Sequence, residues 1–208
     1  MKKAVIWDLD GTLLDSYDVI VESLYQTFLE VGAKLSRDEI HQHTIRFSTK
    51  SLFAQVAEIH GVTLEQLQQR YSQISTGKYL EIKAMHHAID ILSALEKEKI
   101  ENYVFTHRGR TTIPVLDNLG LTCFFKEILT SQSGFARKPN PEAILYLLEK
   151  YGLERQNTYY VGDRSLDMAC AKNAGIQGIL FLPQGSIDVS GGGETHIINE
   201  LMDLQTII

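Results

Sequence analysis

Apolar and polar positions follow two periods along this 208-residue chain, and the change from one to the other divides it. Residues 3–8 form an apolar run closed by charge and then by Gly11, which predicts a strand buried on both faces. Val19, Ile20, Leu24, Phe28 and Val31 recur at helical spacing over 17–31, with Gly32 as a stop. From there to about residue 84 only helical patterns occur, over 37–43, 51–60, 64–74 and 78–82, punctuated by Gly61 and Gly77. Ser36-x-x-Glu39 has the form of a capping box, and no proline appears before Pro114. After Met85 the pattern becomes an alternation. Helices at 86–98, 111–119, 141–151 and 165–174 lead to strands at 101–105, 126–130, 157–162 and 178–182, and a short strand near 196–198 precedes a final helix.

Strands alternating with helices of this length predict an α/β fold with a Rossmann-like, doubly wound parallel sheet. The strand-free stretch of about seventy residues reads as a separate small α-helical insert. The expected division is a core of 1–15 and 85–208 and a helical cap of 16–84. Ligands of doubly wound sheets lie at the carboxyl ends of the strands. Asp8, Thr106, Lys138 and Asp163 all fall at or just past such ends.

Composition narrows the class. The chain is 44% apolar and 22% charged, enough for a substantial core and too apolar for wholesale disorder. A net charge of −6, with no run of five like charges, gives no footprint for nucleic acid. The N-terminal apolar run meets Asp8 after four residues, too short for a signal segment or a membrane span. Cys123 and Cys170 lie far from any metal-type spacing and read as small apolar fillers. A cytoplasmic location is expected, without nucleic-acid or membrane partners.

The chemistry lies in a set of polar residues in fixed order. Asp8 and Asp10 stand in Trp7-Asp8-Leu9-Asp10-Gly11-Thr12-Leu13, Thr106 follows Tyr103-Val104-Phe105, Lys138 precedes Pro139, and Asp163 and Asp167 stand in Gly162-Asp163-Arg164-Ser165-Leu166-Asp167. Clustered carboxylates repel, so such a set calls for a cation, and oxygen-only ligands suit Mg²⁺. A nucleophilic carboxylate with Mg²⁺, a hydroxyl and an ammonium make a kit for phosphoryl transfer.

This order and spacing resemble the haloacid dehalogenase-like superfamily, whose members are mostly Mg²⁺-dependent phosphatases acting through an aspartyl-phosphate. The resemblance implies a Rossmann-like core with a helical cap inserted between the first two motifs. It makes Asp8 the nucleophile and Asp10 the general acid–base, with the main-chain carbonyl of Asp10 on the metal. Gly11 and Thr12 would form a tight turn that brings backbone amides near the phosphate. Thr106 and the backbone of His107 would hold the non-bridging oxygens, and Lys138 would neutralise them together with Asp8. Asp163 is implied as a direct metal ligand and Asp167 as an outer one, acting through water or by orienting Lys138. Members that cleave carbon–halogen bonds lack the second Asp, so Asp10 favours phosphate chemistry.

A small cap implies a small phosphorylated metabolite such as phosphoglycolate, a sugar phosphate or a nucleotide. Among the cap cations Arg46, with Lys50 beside it, is the first candidate for a substrate contact. The phosphoglycolate phosphatase and β-phosphoglucomutase branch shares the arrangement, so a phosphomutase is the alternative to a phosphatase. Signalling receiver domains use similar residues, but they are shorter and put the phosphorylated Asp on a middle strand. His86 and His87 look like a metal pair, yet neighbouring helical residues point apart. Oligomeric state, monomer or homodimer, stays open.

Overall fold

A computed structural model describes residues 2–208, and it separates them into two compact units. One runs to Asp15 and resumes from Lys83 to Ile208; the other is Ser16–Ile82.

The first unit is built on β1 (Ala4–Trp7), every residue of which is buried. Asp15 leaves it through β2 (Leu14–Asp15), and the chain returns at β3 (Lys83–Ala84), which pairs antiparallel with β2, Leu14 opposite Ala84. Strand β3 corrects the expectation of purely helical structure up to about residue 84; two residues are too short to show alternation. The rest winds through α5 (Ala88–Lys97), β4 (Glu101–Phe105), α6 (Thr112–Asn118), β5 (Phe125–Leu129), α7 (Glu142–Tyr151), β6 (Thr158–Gly162), α8 (Ser165–Ala174), β7 (Gln177–Phe181) and β8 (His196–Ile198). The final helix, Leu201–Thr206, is of the 3₁₀ type.

The six-stranded sheet has the order β5-β4-β1-β6-β7-β8, and all its pairings are parallel. From β1 the chain winds outward through β4 and β5, then crosses back to β6 and winds the other way. The crevice at the ends of β1 and β6 is therefore the topological switch point. Trp7 lies opposite Val161, and the Asp8 amide donates to the Val161 carbonyl at 2.9 Å, which places Asp8 beside the end of β6.

One face of the sheet (Ala4, Ile6, Tyr103, Phe105, Tyr160) packs on α7 and α8 through Ile144, Leu147, Cys170 and Ala171. The buried Trp7 indole donates to Asn102 Oδ1 at 2.9 Å, so this large ring is polar-satisfied where it packs.

The second unit is four helices: α1 (Tyr17–Glu30), α2 (Arg37–Arg46), α3 (Thr49–His60) and α4 (Leu64–Lys78). Ser36 with Glu39 and Thr63 with Gln66 form reciprocal capping boxes that start α2 and α4. Helix α4 runs through Gly77 instead of stopping there; a single glycine weakens a helix without ending it. Ile20, Leu24, Phe28, Ile40, Leu52, Phe53, Val56 and Leu67 fill the interior, with Phe28 and Phe53 edge to face at 5.5 Å. No helix of the described residues is long and apolar enough to cross a membrane.

Candidate active site

At the carboxyl end of β1 the chain reverses sharply. Leu13 and Leu14 donate their amides to the Leu9 carbonyl at 3.0 and 2.8 Å, and Gly11 sits at φ +81°, a conformation that a Cβ would strain. The amides of Gly11 and Thr12 are both engaged in this turn, on Leu14 O at 2.9 Å and Leu9 O at 3.0 Å. The turn shapes the site, and its own hydrogen bonds take up these two donors. The Thr12 hydroxyl instead reaches Asp163 Oδ1 at 3.4 Å.

Lys138 is the hub. Its Nζ donates to Asp8 Oδ1 and to Asp167 Oδ1, each at 2.8 Å, and its side chain is wholly buried. The rings of Phe105 and Tyr160 flank the ammonium at 5.2 Å each and keep water away from it. Burial alone would push the lysine pKa down, but Asp167 and Asp8 outweigh it and hold it above its ordinary value.

The two carboxylates diverge. Burial raises the Asp8 pKa, with Lys138 opposing and the like charge of Asp167 adding to it. Asp167 is buried as deeply, yet Lys138 and Arg164 overcome the burial and hold it below the usual carboxylate range. Both its oxygens are engaged: Oδ1 accepts from Lys138 and from the Tyr160 hydroxyl at 3.3 Å, and Oδ2 from the Arg164 amide at 3.1 Å. Asp167 therefore orients Lys138. Gly162 makes room for it, since a Cβ there would come within 2.5 Å of the Asp167 Cβ.

Asp8, Asp163 and Asp167 each offer a buried carboxylate oxygen, all within 4.8 Å of one another. Three buried carboxylates grouped together, two of them on Lys138, with oxygen as the only donor element, fit a hard divalent cation.

Thr106 directly follows β4, its hydroxyl accepting the Arg108 amide at 3.1 Å and its own amide bonding Leu129 O. His107 contributes more than its backbone. Its Nε2 accepts from the Lys138 amide at 2.9 Å, tying the loop after β4 to the loop that carries the lysine. Burial, then the nearby Lys138, Arg137 and Arg164, lower its pKa to about 3, so the ring stays neutral and able to accept.

Sequence reasoning misses Arg108. Its Nη1 donates to Asp10 Oδ1 at 2.7 Å across 98 positions of chain, with side chains 10% and 22% exposed. The only signal is a cation two residues past Thr106. Arg46 lies in the last turn of α2, in the helical unit, and is exposed. His86 and His87 precede α5 rather than lying in it, with His87 at φ +61°, so their rings approach to 3.8 Å instead of pointing apart. His87 Nδ1 contacts Asp90 Oδ2 at 2.7 Å and His86 Nδ1 lies 3.8 Å from Glu200, so each faces a different carboxylate.

Comparison with known proteins gives the family and the fold. The family profile of haloacid dehalogenase-like hydrolases matches residues 5–181. A phosphoglycolate phosphatase of Agrobacterium fabrum is 31% identical over 182 residues, covering 84% of this chain and 78% of that protein. The pyrophosphatase PpaX of Oceanobacillus iheyensis is 24% identical over 210 residues, covering 99% of this chain and 96% of its own length. Among solved structures, a hydrolase from Pseudomonas syringae superposes with a TM-score of 0.81 at 23% identity, covering 99% of this chain and 97% of that one, which fixes the fold.

Proposed function

Because this chain belongs to the haloacid dehalogenase-like hydrolases, we propose that it is a Mg²⁺-dependent phosphatase that hydrolyses a small phosphate monoester through a phosphorylated Asp8. The observation that carries this reading is Lys138 Nζ set 2.8 Å from both Asp8 and Asp167 at the switch point of the sheet, with Asp163 in the same buried carboxylate group. Relatives named as a phosphoglycolate phosphatase and a pyrophosphatase support phosphorus as the centre attacked.

In the first step a carboxylate oxygen of Asp8 attacks phosphorus, the bond to the leaving oxygen breaks, and Asp10 gives that oxygen a proton. In the second, Asp10 takes a proton from water as the water oxygen attacks phosphorus, and the acyl phosphate opens to free Asp8 and inorganic phosphate. Lys138 keeps Asp8 turned to the site and offsets the negative charge of the arriving phosphoryl group. Thr106, whose hydroxyl oxygen already accepts the Arg108 amide, keeps its hydrogen to donate to a phosphoryl oxygen. Asp8, Asp163 and the Asp10 carbonyl would hold Mg²⁺, which supplies charge neutralisation for a dianion approaching several carboxylates. At ~4 Å even well-screened unit charges repel by ~1–4 kcal/mol, so that neutralisation decides whether substrate enters.

The helical unit, 16–82, occupies the place of a cap in the chain order, and Arg46 is its first candidate for a substrate contact. A cytoplasmic setting belongs to the same reading, and both cysteines are free.

A panel of phosphorylated metabolites assayed with Mg²⁺ for released inorganic phosphate tests the proposal. Asp8→Asn should remove turnover, excess chelator should abolish it, and Ca²⁺ should inhibit. Undiminished activity in Asp8→Asn, or full turnover in chelator, would overturn it. With β-glucose 1-phosphate, an isomeric sugar phosphate in place of free phosphate would identify a mutase instead.

A further inference from the structure

Among the described residues, two buried side-chain polar atoms lack a hydrogen-bond partner: Thr44 Oγ1 and Arg108 Nε. The second is the more consequential, because guanidinium is charged at every physiological pH and an unmatched charged donor is expensive to bury. Arg108 bonds Asp10 through one arm only, Nη1 to Oδ1 at 2.7 Å, so its five-donor fork is only partly engaged. The backbone leaves it little freedom, since the Arg108 amide is fixed on Thr106 Oγ1 at 3.1 Å.

We propose that Arg108 is a substrate-binding residue that recognises a second anionic group, a carboxylate or a phosphate, on the half of the substrate that departs. This rests on the assignment of Asp8 and Asp10 above. The oxygen that receives a proton from Asp10 belongs to the leaving half, so a cation bonded to Asp10 lies on that side of phosphorus. Lys138, by contrast, lies between Asp8 and Asp167 and serves the transferred half. The unfilled Nε then has a natural occupant, because a planar fork takes a carboxylate or phosphate edge through two parallel N–H donors. Phosphoglycolate and pyrophosphate, which name two of the relatives, both carry a second anionic group on the departing side. A lysine at this place would supply charge without the fork.

The test compares kcat and KM for phosphoglycolate, pyrophosphate and 2-hydroxyethyl phosphate, the last being the neutral counterpart of the first. Wild type should prefer an anionic leaving half. Arg108→Gln should reduce that preference by about 10- to 100-fold, carried mainly by KM, and Arg108→Lys should recover part of it. A selective loss on phosphoglycolate identifies a carboxylate as the recognised group, and one on pyrophosphate a phosphate. An equal fall in kcat on all three would assign Arg108 to holding Asp10 alone and overturn the inference. So would a wild type that acts only on esters with neutral leaving groups. Thermal unfolding accompanies each variant, and Arg108→Lys carries the comparison where Arg108→Gln is unfolded at the assay temperature. Release of phosphate from no ester at all would instead refute the phosphatase reading.

Discussion

Each compact unit contains ion pairs, and the buried set at Lys138 in one differs in kind from an exposed pair in the other. Lys138 and its two aspartates have side chains 0–4% exposed, whereas Arg70 and Glu30 in the helical unit, joined at 2.7 Å, are 46% and 47% exposed. The distances are alike; the surroundings are not. Around Lys138 water cannot screen the charges or replace a missing partner, so they are fixed in place and their pKa values move. Around Arg70 water can do both, and salt weakens the pair further. Length along the chain reinforces the contrast, since Lys138 reaches Asp8 across 130 positions while the surface pair staples two neighbouring helices of one small bundle.

The comparison breaks most sharply at Lys138→Met. Removing the ammonium leaves two carboxylates buried face to face, and loss of one partner from a buried ionic set costs about 3–5 kcal/mol. Phosphatase turnover should fall by about 10²–10³, the range for losing one pre-set stabilising group. Chemical denaturation and steady-state kinetics on the same preparation would show both. A variant with native stability would mean that the lysine is dispensable to the charge balance of this end of the sheet.

Gly162→Ala ranks next. The new Cβ would come 2.5 Å from the Asp167 Cβ, too close to absorb without moving the residue that aims Lys138. Overpacking of this kind costs about 1–3 kcal/mol, and a misplacement near 1 Å can lower turnover about 100-fold. Activity should therefore drop further than stability does. An active Gly162→Ala enzyme would show that Asp167 has slack the geometry does not suggest.

Much of this arrangement is legible in the order of residues alone. The carboxyl ends of strands are where charge replaces an apolar run, so Asp8, Thr106 and Asp163 stand out, and alternation of strands with helices of near-constant length implies the parallel sheet. What stays hidden depends on atoms far apart in sequence. The Arg108–Asp10 pair has no periodic signature, and the requirement for Gly162 arises from a side chain five residues on. A donor that looks free in the sequence, the Gly11 or Thr12 amide, is engaged once the turn closes. Strands of two residues such as Leu14–Asp15 and Lys83–Ala84 are too short to carry a period at all, and a single glycine, Gly77, suggests a helix end that packing overrides.

His107 offers a subtler probe of the buried region. Its ring titrates near 6.5 in the unfolded chain and at about 3 when folded. Between these values the unfolded state binds the extra proton, so stability is fully present above pH 6.5 and declines as pH falls toward 3. The decline attributable to this ring should be at most about 1.4 kcal/mol per pH unit. His107→Gln keeps an acceptor for the Lys138 amide but cannot titrate. The stability difference between wild type and variant, measured in urea at pH 7, 5.5 and 4.5, should therefore shrink as pH drops. A difference constant with pH would mean that folding leaves the proton affinity of the ring unchanged.

The smallest effect belongs to the surface pair. Arg70→Gln removes a guanidinium that bonds both oxygens of Glu30, through Nε at 2.7 Å and through Nη2. Two bonds in a good fork suggest a strong contact, but nearly half of each side chain faces solvent, and water can take over the donors and acceptors released. The thermal midpoint should stay within about 2 °C of wild type and change less still in 0.5 M salt, where the pair is largely screened to begin with. Paired with Lys138→Met, this variant sets an exposed loss against a buried one, since both substitutions remove one cation from two hydrogen bonds to carboxylate. If Arg70→Gln proved as damaging as Lys138→Met, the number of bonds and not their dryness would set the worth of a charge in this protein.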